Sequence, residues 1–223
     1  MDGGTNLMIK YIIFDMDGVL INSEPLHYKI WKQIFAERGL EIDFEYYKGC
    51  IGSTLKTLCD LIEEGYGVDF HGDMTLPARF KEVKNEYIDT YGVPQIEGIP
   101  QVIGKLKEMG YHLAVASSSP QEYIELCTKK IGIAQYFDIL YSAERVARPK
   151  PFPDVFLTVA EKMQAKPEEC LVIEDSYNGS RAAKAAGMKC FGFANPDSGN
   201  QDLSAADSIF YPFGNLLNVL DNI

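Results

Sequence analysis

Two carboxylates, Asp15 and Asp17, stand one residue apart at the end of the apolar run Tyr11-Ile12-Ile13-Phe14, and Gly18 follows at once. Side chains alternate along a strand, so both acids leave the tip of such a run on the same side. Like charges raise each other's pKa, which makes the pair costly unless a cation sits between them. A divalent metal, or a nucleophile beside an acid/base, is the chemistry such a pair serves. A simple turn is the plain alternative, because Asp and Gly both favour turns. A calcium loop of the EF-hand type needs Gly sixth and Glu twelfth. Counted from Asp15, Gly18 is fourth and Leu26 twelfth, which excludes it.

Three more positions carry chemistry. In Ser117-Ser118-Ser119-Pro120, Ser119, Pro120 and Glu122 read as a capping box with Pro at the first helical position. That leaves Ser117 at a strand tip, a hydroxyl beside a helix N-terminus and a good phosphate contact. Lys150 lies in Arg148-Pro149-Lys150-Pro151-Phe152-Pro153. Loop lysines are usually just solvated, but three prolines restrict this backbone. Glu174-Asp175-Ser176 follows the apolar Leu171-Val172-Ile173. Alone it reads as a helix cap; beside Asp15 and Asp17 it adds the hard oxygen ligands that magnesium prefers.

The elements that position these groups follow from periodicity. The runs at 11–14, 111–116, 137–141, 171–173 and 190–193 read as buried strands, and the stretches 100–109, 120–130, 153–164 and 177–186 as helices. Strands separated by ten-residue helices imply βαβ units and a parallel sheet covered on both faces. In open sheets of this kind, ligands bind outside the carboxyl ends of the strands. The stretch from about Glu24 to Tyr91 breaks the rhythm, being helical in pattern with no strand signal. It is far longer than a usual connection. The expected architecture is α/β, a doubly wound, mostly parallel, Rossmann-like core over 1–23 and 93–223, with an all-helical cap inserted over 24–92.

A chain of 223 residues can bury a sizeable core without staples. The net charge of −11 argues against nucleic acid and against anionic membrane surfaces. Five cysteines lack any Cys-x-x-Cys, and His27, His71 and His112 are not spaced as a zinc site. Residues 1–10 do not read as a signal peptide, and no apolar run approaches the ~18 residues of a membrane span. A soluble, cytoplasmic monomer acting on a small molecule is expected.

In chain order the four strand ends carry a carboxylate pair, a hydroxyl, a lysine and a second carboxylate pair. The ordered set resembles the haloacid dehalogenase superfamily, whose signature is Asp-x-Asp, Ser/Thr, Lys and an acidic pair. The likeness spans nearly the whole chain, the helical insertion included. The stretch from Asp15 to His27 and Lys150-Pro151-Phe152-Pro153-Asp154 are similar to its branch of sugar-phosphate phosphatases and β-phosphoglucomutases. The resemblance implies Asp15 as nucleophile and Asp17 as acid/base, with Mg2+ held by Asp15, Asp17 (through its backbone carbonyl), Asp175 and, through water or one shell out, Glu174. It further implies that Ser117, Ser118 and Lys150 contact the phosphoryl group, and that His27 helps to position the acid/base. Asp17 excludes dehalogenation, which needs no acid for the leaving group. Mutases of the branch grip a second phosphate with a cap-loop arginine where Gly52 stands here. Lys48, Lys56, Arg79 or Lys84 are possible substitutes, so a β-phosphoglucomutase stays the alternative to a phosphatase. A non-catalytic binding protein is a further alternative, although no motif residue is lost.

Overall fold

The computed structural model describes residues 8–53, 55–70 and 72–220; His71 and residues 1–7 of the N-terminal stretch lie outside them. Predominantly apolar runs form β1 (Tyr11–Phe14), β2 (His112–Ser117), β3 (Ile139–Ser142), β4 (Cys170–Glu174), β5 (Lys189–Phe193) and β6 (Ser208–Phe210). They make one sheet in the order β3-β2-β1-β4-β5-β6, with every neighbouring pair parallel. This is the expected doubly wound, Rossmann-like arrangement. The last strand escapes a sequence reading because it is a three-residue edge strand whose central Ile209 is 54% exposed.

Between β1 and β2 run α1 (Ser23–Ala36), α2 (Phe44–Tyr47), α3 (Leu55–Tyr66), α4 (Leu76–Tyr91) and α5 (Ile99–Glu108). Later connections supply α6 (Gln121–Lys130), α7 (Asp154–Lys162), α8 (Tyr177–Ala185) and, after β6, α9 (Leu216–Leu220). Alternate strand residues enter opposite layers. Ile12, Phe14, Leu113, Val115, Leu171 and Ile173 pack in one cluster with Leu106 of α5 and Ile124 of α6. Ile13, Ala114, Ala116 and Val172 pack in the other with Phe156 of α7 and Ala182 of α8. Each large aliphatic buried this way contributes roughly 1.5–3 kcal/mol, so strands covered on both faces are apolar at every position.

The helices α1 to α4 form the inserted cap. Trp31 stacks on Phe80 at 4.7 Å, and Phe35 lies 5.0 Å from Phe70, tying α1 to α4 and to the loop after α3. The two chain crossings between cap and sheet run side by side. Ile21 pairs antiparallel with Gln95, and the Asn22 N–H donates to the Pro94 carbonyl at 2.7 Å.

One expected cap is corrected. Ser119 does not close a capping box with Glu122: α6 begins after Pro120 with no side-chain cap, and Glu122 pairs instead with Lys81 at 2.7 Å. The Ser119 N–H, which Glu122 would have met, donates to Ser117 Oγ at 3.0 Å, and the Ser119 hydroxyl donates to a carboxylate across the sheet edge.

The winding places the site. The chain steps from β1 outward to β3, then crosses back to β4 and steps the other way. Where the order reverses, between β1 and β4, connections leave in opposite directions and open a crevice at the carboxyl ends.

Candidate active site

β1 and β4 run in step, Phe14 beside Ile173, and the Asp15 N–H donates to the Ile173 carbonyl at 2.9 Å. Asp15 and the pair Glu174-Asp175 therefore emerge together. All three are buried, and each offers a carboxylate oxygen within 4.8 Å of the others. Lys150 reaches in from the proline-rich loop after β3. Its ammonium donates to Asp15 Oδ1 at 2.6 Å, to Glu174 Oε1 at 2.7 Å and to the Ala116 carbonyl at 3.1 Å. The far oxygen of Glu174 accepts from the Asp175 and Ser176 N–H groups, each at 3.1 Å, and from the Ser176 hydroxyl at 2.8 Å. Both oxygens of Glu174 are thus committed within the protein.

Asp175 accepts from the buried Ser198 hydroxyl and packs directly against Gly18. A Cβ at Gly18 would collide with the Asp175 carboxylate, and φ of +79° at Gly18 is strained for any other residue. Glycine is needed here on both counts.

Asp17 lines the same cleft as Asp15 but answers to different partners. Its Oδ2 accepts from the Ser119 hydroxyl at 2.7 Å and, more weakly, from the Ser117 hydroxyl at 3.4 Å. Its Oδ1 is buried with no partner among the described residues. The Asp17 carboxylate stands outside the acidic trio, free for the proton-moving task expected of it.

The charges are unbalanced. Burial is the largest influence on Asp15; Lys150 opposes it, Glu174 and Asp17 reinforce it, and the carboxyl is pushed up to about 8. Burial likewise drives Asp175 well above the usual carboxylate range, with Glu174 and Asp15 adding to it and Ser198 and Lys150 opposing. Burial works against the charge on Lys150, but Asp15 and Glu174 outweigh it and hold the ammonium above its ordinary value. Three buried acids share one buried ammonium, which is an incentive to take up a cation.

The cleft has a volume of about 260 Å³, with Asp15, Asp17, Ser118, Lys150, Asp175 and Gly52 among its lining residues. Ser118 is exposed at its rim. A second cavity of about 400 Å³ lies within the cap and shares Glu24 and Gly52 with the first. His27 faces that second cavity, with Nδ1 3.7 Å from Glu24 Oε1 and its ring edge against Phe80 at 5.4 Å. The structure brings Asp15, Asp17, Ser117, Ser118, Lys150, Glu174 and Asp175 to one cleft and sets His27 next door.

Three polar residues at this edge escape the sequence reading. Ser119 looks like a cap but serves Asp17. Asn195 and Ser198 lie in the loop after β5, where Asn195 Nδ2 donates to the Gly18 carbonyl at 2.9 Å. The available signal is position, since this turn-rich loop follows another strand end on the functional edge of the sheet.

Residues 12–193 match the family described as haloacid dehalogenase-like hydrolase. A fructose-1-phosphate phosphatase of Escherichia coli (strain K12) is 32% identical over 178 residues, covering 79% of this chain and 92% of that protein. Hexitol phosphatase B of the same organism is 30% identical over 203 residues, 88% of each chain. A hydrolase of the same family from Deinococcus radiodurans R1, solved with bound phosphate and sodium, superposes with a TM-score of 0.79 at 26% identity, covering 97% of both chains. The family pattern spans both halves of the site, from β1 to β5, and the chain belongs to the haloacid dehalogenase-like hydrolases, as an enzyme of their phosphohydrolase type.

Proposed function

We propose that this protein hydrolyses a small phosphorylated carbohydrate, a sugar or polyol phosphate, by a Mg2+-dependent route through an aspartyl phosphate on Asp15. The observation that carries the proposal is the buried acidic trio served by a single ammonium, with Asp17 held apart from it by hydroxyls. Phosphatases of fructose 1-phosphate and of hexitol phosphates among the relatives support the substrate class.

The donor set fits magnesium: hard carboxylate oxygens, closely spaced, carrying more negative charge than Lys150 neutralises. Asp15, Asp175 and the Asp17 backbone carbonyl would hold the ion. Glu174, with both oxygens engaged, suits an outer position. Bound there, magnesium supplies charge neutralisation for the phosphoryl oxygens.

An Asp15 carboxylate oxygen attacks phosphorus, and the ester P–O bond breaks. Asp17 gives its proton to the departing alkoxide oxygen. Asp17 then takes a proton from water as that water attacks the phosphorus, and the bond from phosphorus to Asp15 breaks to release phosphate. Lys150 holds Asp15 in place and offsets charge on the group in transit, with Ser117 and Ser118 donating to its oxygens. The expected contribution of His27 is to position the acid/base from the cap side.

Hydrolysis is favoured over phosphomutase action by the cap cavity. Trp31, Tyr47, Leu58 and Phe80 line it with Glu24 and His27, and no Lys or Arg appears among its described lining. A second phosphate would meet the Glu24 carboxylate rather than a bidentate clamp. The division into a core of 1–23 and 93–223 and a cap of 24–92 belongs to the same proposal, as does a monomer working in the cytoplasm. The five free cysteines suit a reducing compartment.

Asp15→Asn should abolish Mg2+-dependent phosphate release while circular dichroism and melting stay those of the folded chain. Substantial turnover by that variant would overturn the nucleophile assignment. Incubation with β-glucose 1-phosphate and Mg2+ separates the two reactions, since glucose 6-phosphate formed without free phosphate would make the protein a mutase.

A further inference from the structure

The loop Asn195–Gln201, after β5, touches the acidic trio and the cap together. Asn195 Nδ2 holds the Gly18 carbonyl at 2.9 Å, while its Oδ1 accepts from the Asp197 N–H at 3.0 Å and its carbonyl from the Ser198 N–H at 3.2 Å. That folded turn aims the Ser198 hydroxyl, in a residue only 4% exposed, at Asp175 Oδ2. Gln201 closes the far end, accepting from the Tyr177 N–H at 3.1 Å just beyond Glu174-Asp175-Ser176.

The other side of the loop faces the cap. Asp197 Oδ2 accepts from Asn22 Nδ2 at 2.8 Å. Asn22 sits where both chain crossings meet, bonded through its own N–H to Pro94. A Cβ at Gly199 would lie 3.2 Å from Ile51 Cγ2, and one at Gly52 would lie 3.2 Å from Gln201 Nε2, so loop and cap already touch closely.

We propose that Asn195–Gln201 is a coupling strap: Ser198 is a positioning residue that orients Asp175 for metal binding, and the Asn22–Asp197 bond ties that orientation to the position of the cap. The proposal rests on the metal reading given above. Asp175 is wedged between Gly18 and Ser198, and Asn195 organises both neighbours, so a displaced loop must release the carboxylate. Because Asp197 is two residues along the chain from Asn195 and next to Ser198, a cap movement at Asn22 acts on the same turn. Partners that orient a metal ligand commonly carry 10–100-fold of the metal affinity.

The test is calorimetric titration of Mg2+ into the full chain and its variants, with melting of the metal-free proteins alongside. Ser198→Ala should weaken Mg2+ binding by roughly tenfold or more, raise the Mg2+ concentration needed for half-maximal turnover and spare kcat at saturating Mg2+. Asn22→Ala and Asp197→Ala touch no ligand of the trio. Each should weaken Mg2+ binding several-fold without lowering the metal-free melting temperature in proportion, and the double variant should lose no more than either single one. Wild-type affinity in both Asn22→Ala and Asp197→Ala would overturn the strap, even if Ser198→Ala proved unable to fold. A wild-type chain that takes up no Mg2+ would instead overturn the metal reading, so the two failures are told apart.

Discussion

Asp15 is pulled two ways. A nucleophile must be a carboxylate, yet burial beside Glu174 and Asp17 pushes its carboxyl from 3.8 up to about 8. Across that interval the folded chain keeps a proton that the unfolded chain surrenders. The folded state then binds more protons, so this group's contribution to stability is full below 3.8 and is lost as the pH rises through about 8. A cation that takes the proton's place removes the penalty. Mg2+ should therefore raise the melting temperature more at pH 8 than at pH 5, as scanning calorimetry would register. Equal shifts at both pH values would contradict the assignment of the trio as the metal site. At the same scale, Lys150 and Ser119 show how a residue's surroundings choose its task. A loop lysine becomes an interior ion-pair partner at 7% side-chain exposure, and a would-be helix cap becomes a donor to Asp17.

Strands and helices position these groups by where they stop. Because β1 and β4 end in step, two separate segments of chain deliver three carboxylates to one point. The start of α8 is legible from local chemistry, since Ser176 accepts from the Gly179 N–H at 3.0 Å as an N-cap should. The start of α6 is not, because Ser119 is turned to other partners, its hydroxyl donating to Asp17 and its N–H to Ser117 Oγ. The edge of the sheet is fastened by Asp207, before β6, which accepts from Lys184 of α8 at 2.7 Å and from the Cys190 N–H of β5 at 2.7 Å. Burial raises its carboxyl, but these donors outweigh burial and hold it below the usual range. A lowered carboxyl stabilises above the ordinary Asp value and loses that effect as the pH falls through its own. Asp207→Asn should cost about 1 kcal/mol in urea melts at pH 7, allowing for solvent screening. The deficit should shrink below pH 3.8; a deficit independent of pH would count against the ionic fastening.

Over the whole molecule, one apolar cluster runs from the sheet into the cap: Ile12 and Phe14, then Leu20 and Leu26, then Trp31, Leu58 and Val83. A core shared in this way makes the two parts unfold together. Calorimetry should show a single transition with equal calorimetric and van't Hoff enthalpies, and two resolved transitions would refute the shared core. Much of the molecule was legible in the sequence because it rests on short-range regularities. Apolar runs mark strands, 3.6-residue spacing marks helices, and acids, a hydroxyl and a lysine stand where strands stop. These signals each span a few residues, so Asp15, Asp17, Ser117, Lys150, Glu174 and Asp175 could be picked out with no coordinates. Only the tertiary structure decided which of them touch. It sent Asp17 to the hydroxyls and Asp15 to Lys150, turned His27 of the first cap helix toward the cap cavity, and enlisted Asn195 and Ser198 from a loop that carries no motif. The bond from Asn195 to Gly18 joins positions 177 residues apart. Contacts of that range follow from strand order and from the packing of the entire core, which no local stretch of sequence encodes.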